Sequence, residues 1–241
     1  MIGLGTIINV AGICLGGLLG ALFGRLISPR HQDALCKACG ISVLFLGIGG
    51  ALEGMLAISE GGVESGRSLL IIASLALGAL LGELINLEDG LERFGEWLKK
   101  KTGNGGDNRF TEGFVTASLT VCVGAMAIVG AIQDSLFGDY SILLTKAILD
   151  MIIVMVLTSS LGRGCVFSAL PVALLQGSVT ALARLVQPLM TDAALGNLSL
   201  VGSILIFCVG VNLVWGKTVR VANLLPAVIL AAAAAFLPIA L

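Results

Sequence analysis

The chain has 241 residues, 57% of them hydrophobic and only 12% charged, with a mean hydropathy of +1.04. A soluble domain carries roughly 25% charged residues, and this polarity could not cover the surface of one. A net charge of −1 offers no basic field for nucleic acid. The composition excludes a cytosolic enzyme, a disordered regulator and a nucleic-acid-binding domain, and it requires an integral membrane protein.

About 20 consecutive apolar residues cross the hydrocarbon core as a helix. Eight runs meet that length, roughly 2–24, 36–57, 67–86, 111–133, 141–161, 164–187, 197–216 and 220–241. They are continuous rather than alternating with period two, as barrel strands would be. The expectation is therefore an all-α, polytopic transmembrane helix bundle forming one domain over 1–241. Pro226 and Pro238 interrupt the last run, so seven spans is the alternative. No basic segment precedes the first run and no cleavage site follows it, so it is read as a retained span rather than a signal peptide.

In chain order, the first span places Gly12, Gly16, Gly20 and Gly24 at four-residue intervals, a flat stripe that lets another backbone approach. Gly50 and Gly54 repeat the spacing in the second span, and Gly78 and Gly82 in the third. Such faces serve packing within one subunit or a homo-oligomer interface. Between the third and fourth spans, Leu87, Leu91, Phe94 and Leu98 share one helical face, and Glu88, Glu92, Glu96 and Lys99–Lys101 take the other. Residues 87–109 thus read as an amphipathic helix in the cytoplasmic interface followed by a flexible linker. The six cysteines lie mostly in apolar runs, and Cys36-Lys-Ala-Cys39 has no second pair, so no disulfide framework is expected.

Basic residues set the orientation. With the N-terminus outside, the inner connections hold ten of them: Arg25, Arg30, Arg93, Lys99, Lys100, Lys101, Arg109, Arg163, Lys217 and Arg220. The outer side holds Arg67 and Arg184, and its loops carry Glu60, Glu64, Asp139 and Asp192.

Ionisable groups in hydrocarbon cost at least ~2.5–3.5 kcal/mol, so each requires a reason. In the fifth span Lys146 and Asp150 stand at i, i+4 on one helix face, with Asp150 near mid-span. Two readings stay open, a self-neutralised internal pair and a carboxylate that exchanges a proton or cation beside a lysine that engages a solute. Glu53 and the Gln133-Asp134 pair lie near the outer surface, and Glu83, Asn86 and Glu112 near the inner one. Asn9, Thr120, Thr158–Ser160, Ser168, Gln176 and Asn212 are neutral, with interhelical hydrogen bonding as their plain role. Pro171 and Gly177 flank Gln176, which suggests a break in the sixth span facing Asp150.

Repetition is visible. Leu46–Gly54 resembles Ala127–Asp134, and Ile41–Gly47 resembles Ser203–Gly210. The second and seventh spans run in opposite directions in this topology, so a repeat of spans 1–3 in spans 6–8 would be inverted, as in many secondary transporters. The glycine-rich first span, Leu46–Gly54, Val123–Asp134, Lys146–Asp150 and Ser160–Cys165 through Gln176-Gly177 together resemble the bacterial YqgA/YdfK-like membrane proteins. That resemblance implies a location in the bacterial inner membrane and carries over no site residues, the family being one of unknown function.

The expected function is a secondary transporter of a small solute or ion, driven by a proton or sodium gradient, with a midplane site of Asp150, Lys146 and Gln176, backed by Glu53, Gln133, Asp134 and Asn212. Its partners are the lipid bilayer and the solute. An oligomeric channel or a structural assembly protein is the alternative. No catalytic residue, cofactor or metal is expected. His31 is the one histidine, and neither HExxH nor GxSxG occurs.

Overall fold

The computed structural model describes residues 3–24, 26, 28–59, 62–122 and 125–236. Arg25, Glu60, Val123, Gly124 and Pro238, which enter the sequence reading, lie outside the described residues. The helices are α1 (Leu4–Gly24), α2 (Pro29–Met55), α3 (Ser68–Ile85), α4 (Leu87–Lys101), α5 (Phe110–Cys122), α6 (Ala125–Phe137) and α7 (Ser141–Leu161). A 3-10 turn (Arg163–Ser168) leads into α8 (Ala169–Ala181), followed by α9 (Ala183–Val186) and α10 (Asp192–Trp215). A second 3-10 turn (Val221–Leu224) opens α11 (Leu225–Ala234).

Six segments are long and apolar enough to cross a bilayer: α1, α2, α3, α7, Arg163–Ala181 and α10. α5 and α6 meet at a 60° bend and make a seventh when taken as one span. The eighth expected span is described only over Val221–Ala234, which at 1.5 Å per residue reaches roughly 21 Å, short of the ~30 Å core. Leu26, Leu84, Leu174 and Ile229 are largely exposed, as side chains facing lipid must be.

Four local features depart from the sequence expectation. α2 starts at Pro29 rather than near residue 36, because Pro suits a first helical position and the Asp33–Lys37 pair, at 2.9 Å, supports the next turn. The second span gives way at Leu56 to an antiparallel hairpin, β1 (Leu56–Ser59) with β2 (Gly62–Ser65), register Leu56↔Ser65. The sixth span is unbroken at Gln176, since Pro171 falls in the first turn of α8, where its missing N–H costs nothing. The bend lies instead between α5 and α6.

Glycines set the helix pairs. A Cβ at Gly12 would stand 3.0 Å from the Ala147 carbonyl oxygen and one at Gly24 3.0 Å from that of Ser159, while at Gly16 and Gly20 it would overlap the Met151 and Met155 carbonyls. α1 therefore runs parallel to α7, backbone against backbone. α2 lies antiparallel to α10, with Gly40, Gly47, Gly50 and Gly54 against Leu213, Phe207, Ser203 and Leu200. α3 lies antiparallel to the last segment, with Gly78 on Ala227 and Gly82 on Asn223. The α5–α6 pair runs alongside Arg163–Ala181: Gly164 meets the Phe110 carbonyl, and the Ser135 hydroxyl donates to the Thr180 carbonyl at 2.9 Å. In lipid no hydrophobic force draws helices together, so this close packing supplies much of the association energy.

Two buried clusters follow. One joins α1, α5, α7 and α8 through Ile13, Val121, Val154 and Val172. The other joins α2, α3, α4, α5, α10 and α11 through Val43, Leu70, Leu98, Phe114, Leu205 and Ala227. Exchanging spans 1 with 6, 2 with 7, 3 with 8 and 4 with 5 maps these four pairs onto one another, whereas the packing of α10 on α11 has no counterpart between α2 and α3.

Candidate functional site

α7 has 21 residues, which places Asp150 roughly 14 Å along it from Ser141, close to its middle. Both members of the i, i+4 pair are buried, Lys146 at 8% and Asp150 at 4% exposure. The Lys146 ammonium donates to Asp150 Oδ2 at 2.7 Å and Oδ1 at 2.9 Å. Its third bond, at 2.8 Å, goes to the carbonyl of Val121. Val121 lies in the last turn of α5, where backbone carbonyls have no partner within the helix. The bend in span four thus supplies an acceptor, and the lysine satisfies it.

Around this pair stand polar groups without partners. Asn9 on α1 is fully buried with its amide beside the Asp150 carboxylate, and neither of its polar atoms makes a hydrogen bond of regular geometry. Gln176 on α8 is 1% exposed and equally unpartnered at both Oε1 and Nε2. Thr6 and Thr180 face each other across α1 and α8 with hydroxyls 3.4 Å apart. The two spans run in opposite directions, so one turn deeper they bring Asn9 and Gln176 to the same level. Ser118, one turn before Val121 on α5, is also buried with a free hydroxyl. A buried polar atom without a partner costs ~1–3 kcal/mol, and several at one depth mark a place prepared for water or solute.

Clefts approach this level from both ends of the bundle, called outer and inner after the orientation that the basic residues predict. The outer one, about 560 Å³, is lined by Gly3, Thr6, Ser135, Gly177, Thr180 and Arg184 among others. The inner one, about 470 Å³, is lined by Asp33, Cys36, Glu88, Arg109, Glu112 and Lys217 and runs up α5 to Leu119. The cluster therefore lies between the two.

The other residues singled out in the sequence fall elsewhere. Asp134 is fully buried, and its Oδ2 accepts from the Gly5 amide at 2.9 Å, so it caps the N-terminus of α1. Its neighbour Gln133 is half-buried on α6. Glu53 is exposed on α2, away from the pair. Asn212 holds the loop after α10: its Oδ1 accepts from the amides of Thr218 and Val219, both at 2.9 Å, and its Nδ2 donates to the Val219 carbonyl at 2.7 Å. Asn9 is the site residue that sequence reasoning passed over. It shares the face of α1 that carries Gly5, Gly12 and Gly16, and a polar side chain on a close-packed glycine face was the available signal.

At the inner end a charged network ties α3 and α4 to the segment before α11. Arg220 bonds Glu83 at 2.9 Å and Asp89 at 2.7 Å, and Lys217 pairs with Glu88 at 3.0 Å and with Glu92. Glu88 is buried rather than on the polar face of α4, because its Oε2 accepts from the Ala222 amide at 2.9 Å while Asn223 accepts from its own N–H at 2.7 Å. Although partial burial opposes its charge, hydrogen bonds to Glu92 and Glu88 hold the Lys217 ammonium above the usual lysine value of 10.5. On the opposite side of the membrane, hydrogen bonds from Ser141 hold the Asp139 carboxyl below its usual range.

Residues 4–236 match the family described as a protein of unknown function (DUF554). The chain is 34% identical over 226 residues to the uncharacterized membrane protein YdfK of Bacillus subtilis (strain 168), covering 94% of this chain and 93% of that protein. It is 28% identical over 235 residues to the uncharacterized protein YqgA of Escherichia coli (strain K12), covering 95% and 94%. No solved structure matches it.

Proposed function

The chain belongs to the DUF554 family of membrane proteins, and from that premise we propose that it is a secondary transporter of a small polar solute, binding it at mid-membrane among Asn9, Lys146, Asp150 and Gln176. The observation that carries this reading is a neutral ion pair flanked by two buried, unpartnered amides at one depth, with a cleft approaching from each side. Two amides offer both donors and acceptors, and the ion pair adds one charge of each sign, a set suited to a neutral or zwitterionic solute. Glu53, Gln133, Asp134 and Asn212 lie outside this constellation and serve the frame.

The protein works in the bacterial inner membrane with its N-terminus outside and α4 on the cytoplasmic side, which the ten-to-two distribution of basic residues supports. The four helix pairs that exchange of spans maps onto one another support an inverted repeat behind alternating access. A homo-oligomeric channel gains little from the glycine stripes, since those of α1, α2 and α3 face α7, α10 and the last segment of the same chain. No catalytic chemistry is assigned to the site.

The test is uptake into proteoliposomes bathed in a panel of small polar solutes and ions, with the lumen read by mass spectrometry. At least one solute should accumulate above empty liposomes, and Asp150→Asn and Gln176→Ala should each reduce its flux at least about tenfold. Flux that ignores both substitutions, or no flux with any solute, overturns the reading.

A further inference from the structure

We propose that the Lys146 ammonium is a built-in cation that takes the place of a sodium ion, so that the site operates without sodium. The proposal rests on the transport reading of this cluster and deepens it by naming the ion the site does not use. Lys146 Nζ is held by three oxygens, two from the Asp150 carboxylate at 2.7 and 2.9 Å and one from the Val121 carbonyl at 2.8 Å. A carboxylate joined to a carbonyl freed at the end of a half-helix is the ligand set with which broken membrane helices coordinate sodium, a hard cation that takes oxygen ligands. The Asn9 side-chain amide lies beside the same carboxylate.

Here those oxygens surround a charge that is covalently tethered to α7 and cannot dissociate into the bath. A sodium ion brought to the same oxygens would meet the ammonium at contact distance, and the negative charge of Asp150 is already neutralised. With sodium excluded from this cluster, the proton gradient or the solute's own gradient is left to drive the cycle through it. Removing the ammonium while keeping Asp150 leaves an oxygen-lined space with an unpaired negative charge, which sodium should then fill.

The experiment measures thermal unfolding of the purified full-length chain in detergent, with NaCl replaced stepwise by choline chloride at constant ionic strength. The native chain should unfold at the same temperature throughout. Lys146→Ala should unfold roughly 3 °C or more higher at 150 mM NaCl than in choline chloride, because a ligand that binds only the folded state raises its stability by mass action. Lys146→Ala/Asp150→Asn, which lacks the carboxylate charge, should lose that dependence. Sodium-specific stabilisation of the native chain overturns the proposal, as does a Lys146→Ala chain equally stable in both salts. A Lys146→Ala chain recoverable in neither salt, when the double variant is recovered, overturns it too. Sodium dependence in Lys146→Ala combined with no flux of any solute through the native chain would sink the transport reading and leave the assignment of the ammonium to a sodium-like position standing.

Discussion

Gln176 is buried to 1% exposure with an amide that meets no polar partner, a state that costs the fold stability unless something else occupies the space. Gln176→Leu should therefore raise the unfolding free energy by about 1 kcal/mol or more while abolishing flux, a loss of function with a gain of stability. Thermal unfolding and uptake on the same preparation check both halves, and a stable variant with intact flux would remove Gln176 from the site. Asp150 behaves differently because its partner is charged. Asp150→Asn leaves a buried ammonium half-paired and should cost about 3–5 kcal/mol, whereas Lys146→Met/Asp150→Leu should recover most of that stability and none of the flux. The pair was legible in the sequence because two charges at i, i+4 inside an apolar run have no other explanation. The third ligand, the Val121 carbonyl, was not legible, since a bend that frees a backbone oxygen leaves no mark on side-chain identity. Asn9 was visible but read as an ordinary interhelical hydrogen bond; only its unpartnered state distinguishes it.

Among elements, α1 is the most constrained, with every fourth residue against the backbone of α7. Gly16→Ala places a methyl group onto the Met151 carbonyl and should destabilise by about 1–3 kcal/mol, while Gly49→Ala, at a position with open space, should change stability little. Unfolding of the two variants side by side measures the difference. The glycine spacing announced a close approach; which helix comes close was hidden, because a stripe of small residues fits any partner of suitable shape. α4 shows the converse. Its exposed Phe94 and Trp97 rings stack at 5.7 Å and Gly95 meets Phe114, as an amphipathic helix would have it, but buried Glu88 broke the pattern through a backbone contact 134 residues away. Lys217 completes that contact. Because its folded pKa lies above the unfolded 10.5, its contribution is complete below that pH and fades as pH rises through the higher folded value. The native chain should thus lose stability more steeply than Lys217→Met as pH rises above the unfolded value of 10.5, and thermal unfolding as a function of alkaline pH tests it.

For the whole molecule, the directions of the helix pairs join topology to mechanism. α1 parallel to α7, and α2 antiparallel to α10, are relations that alternating spans predict for first with fifth and second with seventh. The multi-span helical architecture was legible from hydropathy because hydrocarbon leaves the backbone no other solution, while the count was not: against eight expected spans the described residues hold six long apolar helices, seven with the bent α5–α6 pair. The bend in the fourth span and the hairpin after the second were not, because apolar content is blind to both. The two buried clusters, α1–α5–α7–α8 and α2–α3–α4–α5–α10–α11, meet at α5. The polar cluster lies within the first, about one turn deeper than the Thr6–Thr180 contact, whose two residues line the outer cleft. On the transport reading proposed above, a solute entering by that cleft passes this contact, and α1 and α8 part there. Thr6→Cys/Thr180→Cys, in a chain whose six native cysteines are replaced by serine or alanine, should be joined by a short thiol-reactive cross-linker. Joining should cut solute flux at least about tenfold, and reductive cleavage of the linker should restore it. Each single cysteine treated alike should retain its flux. The linker holds α1 and α8 together only at the outer end and leaves Lys146 and Asp150 untouched, so lost flux would report the parting of these helices as a step in the cycle. Full flux through the cross-linked chain would mean that solute enters by another route, and the outer cleft would then have no part in transport.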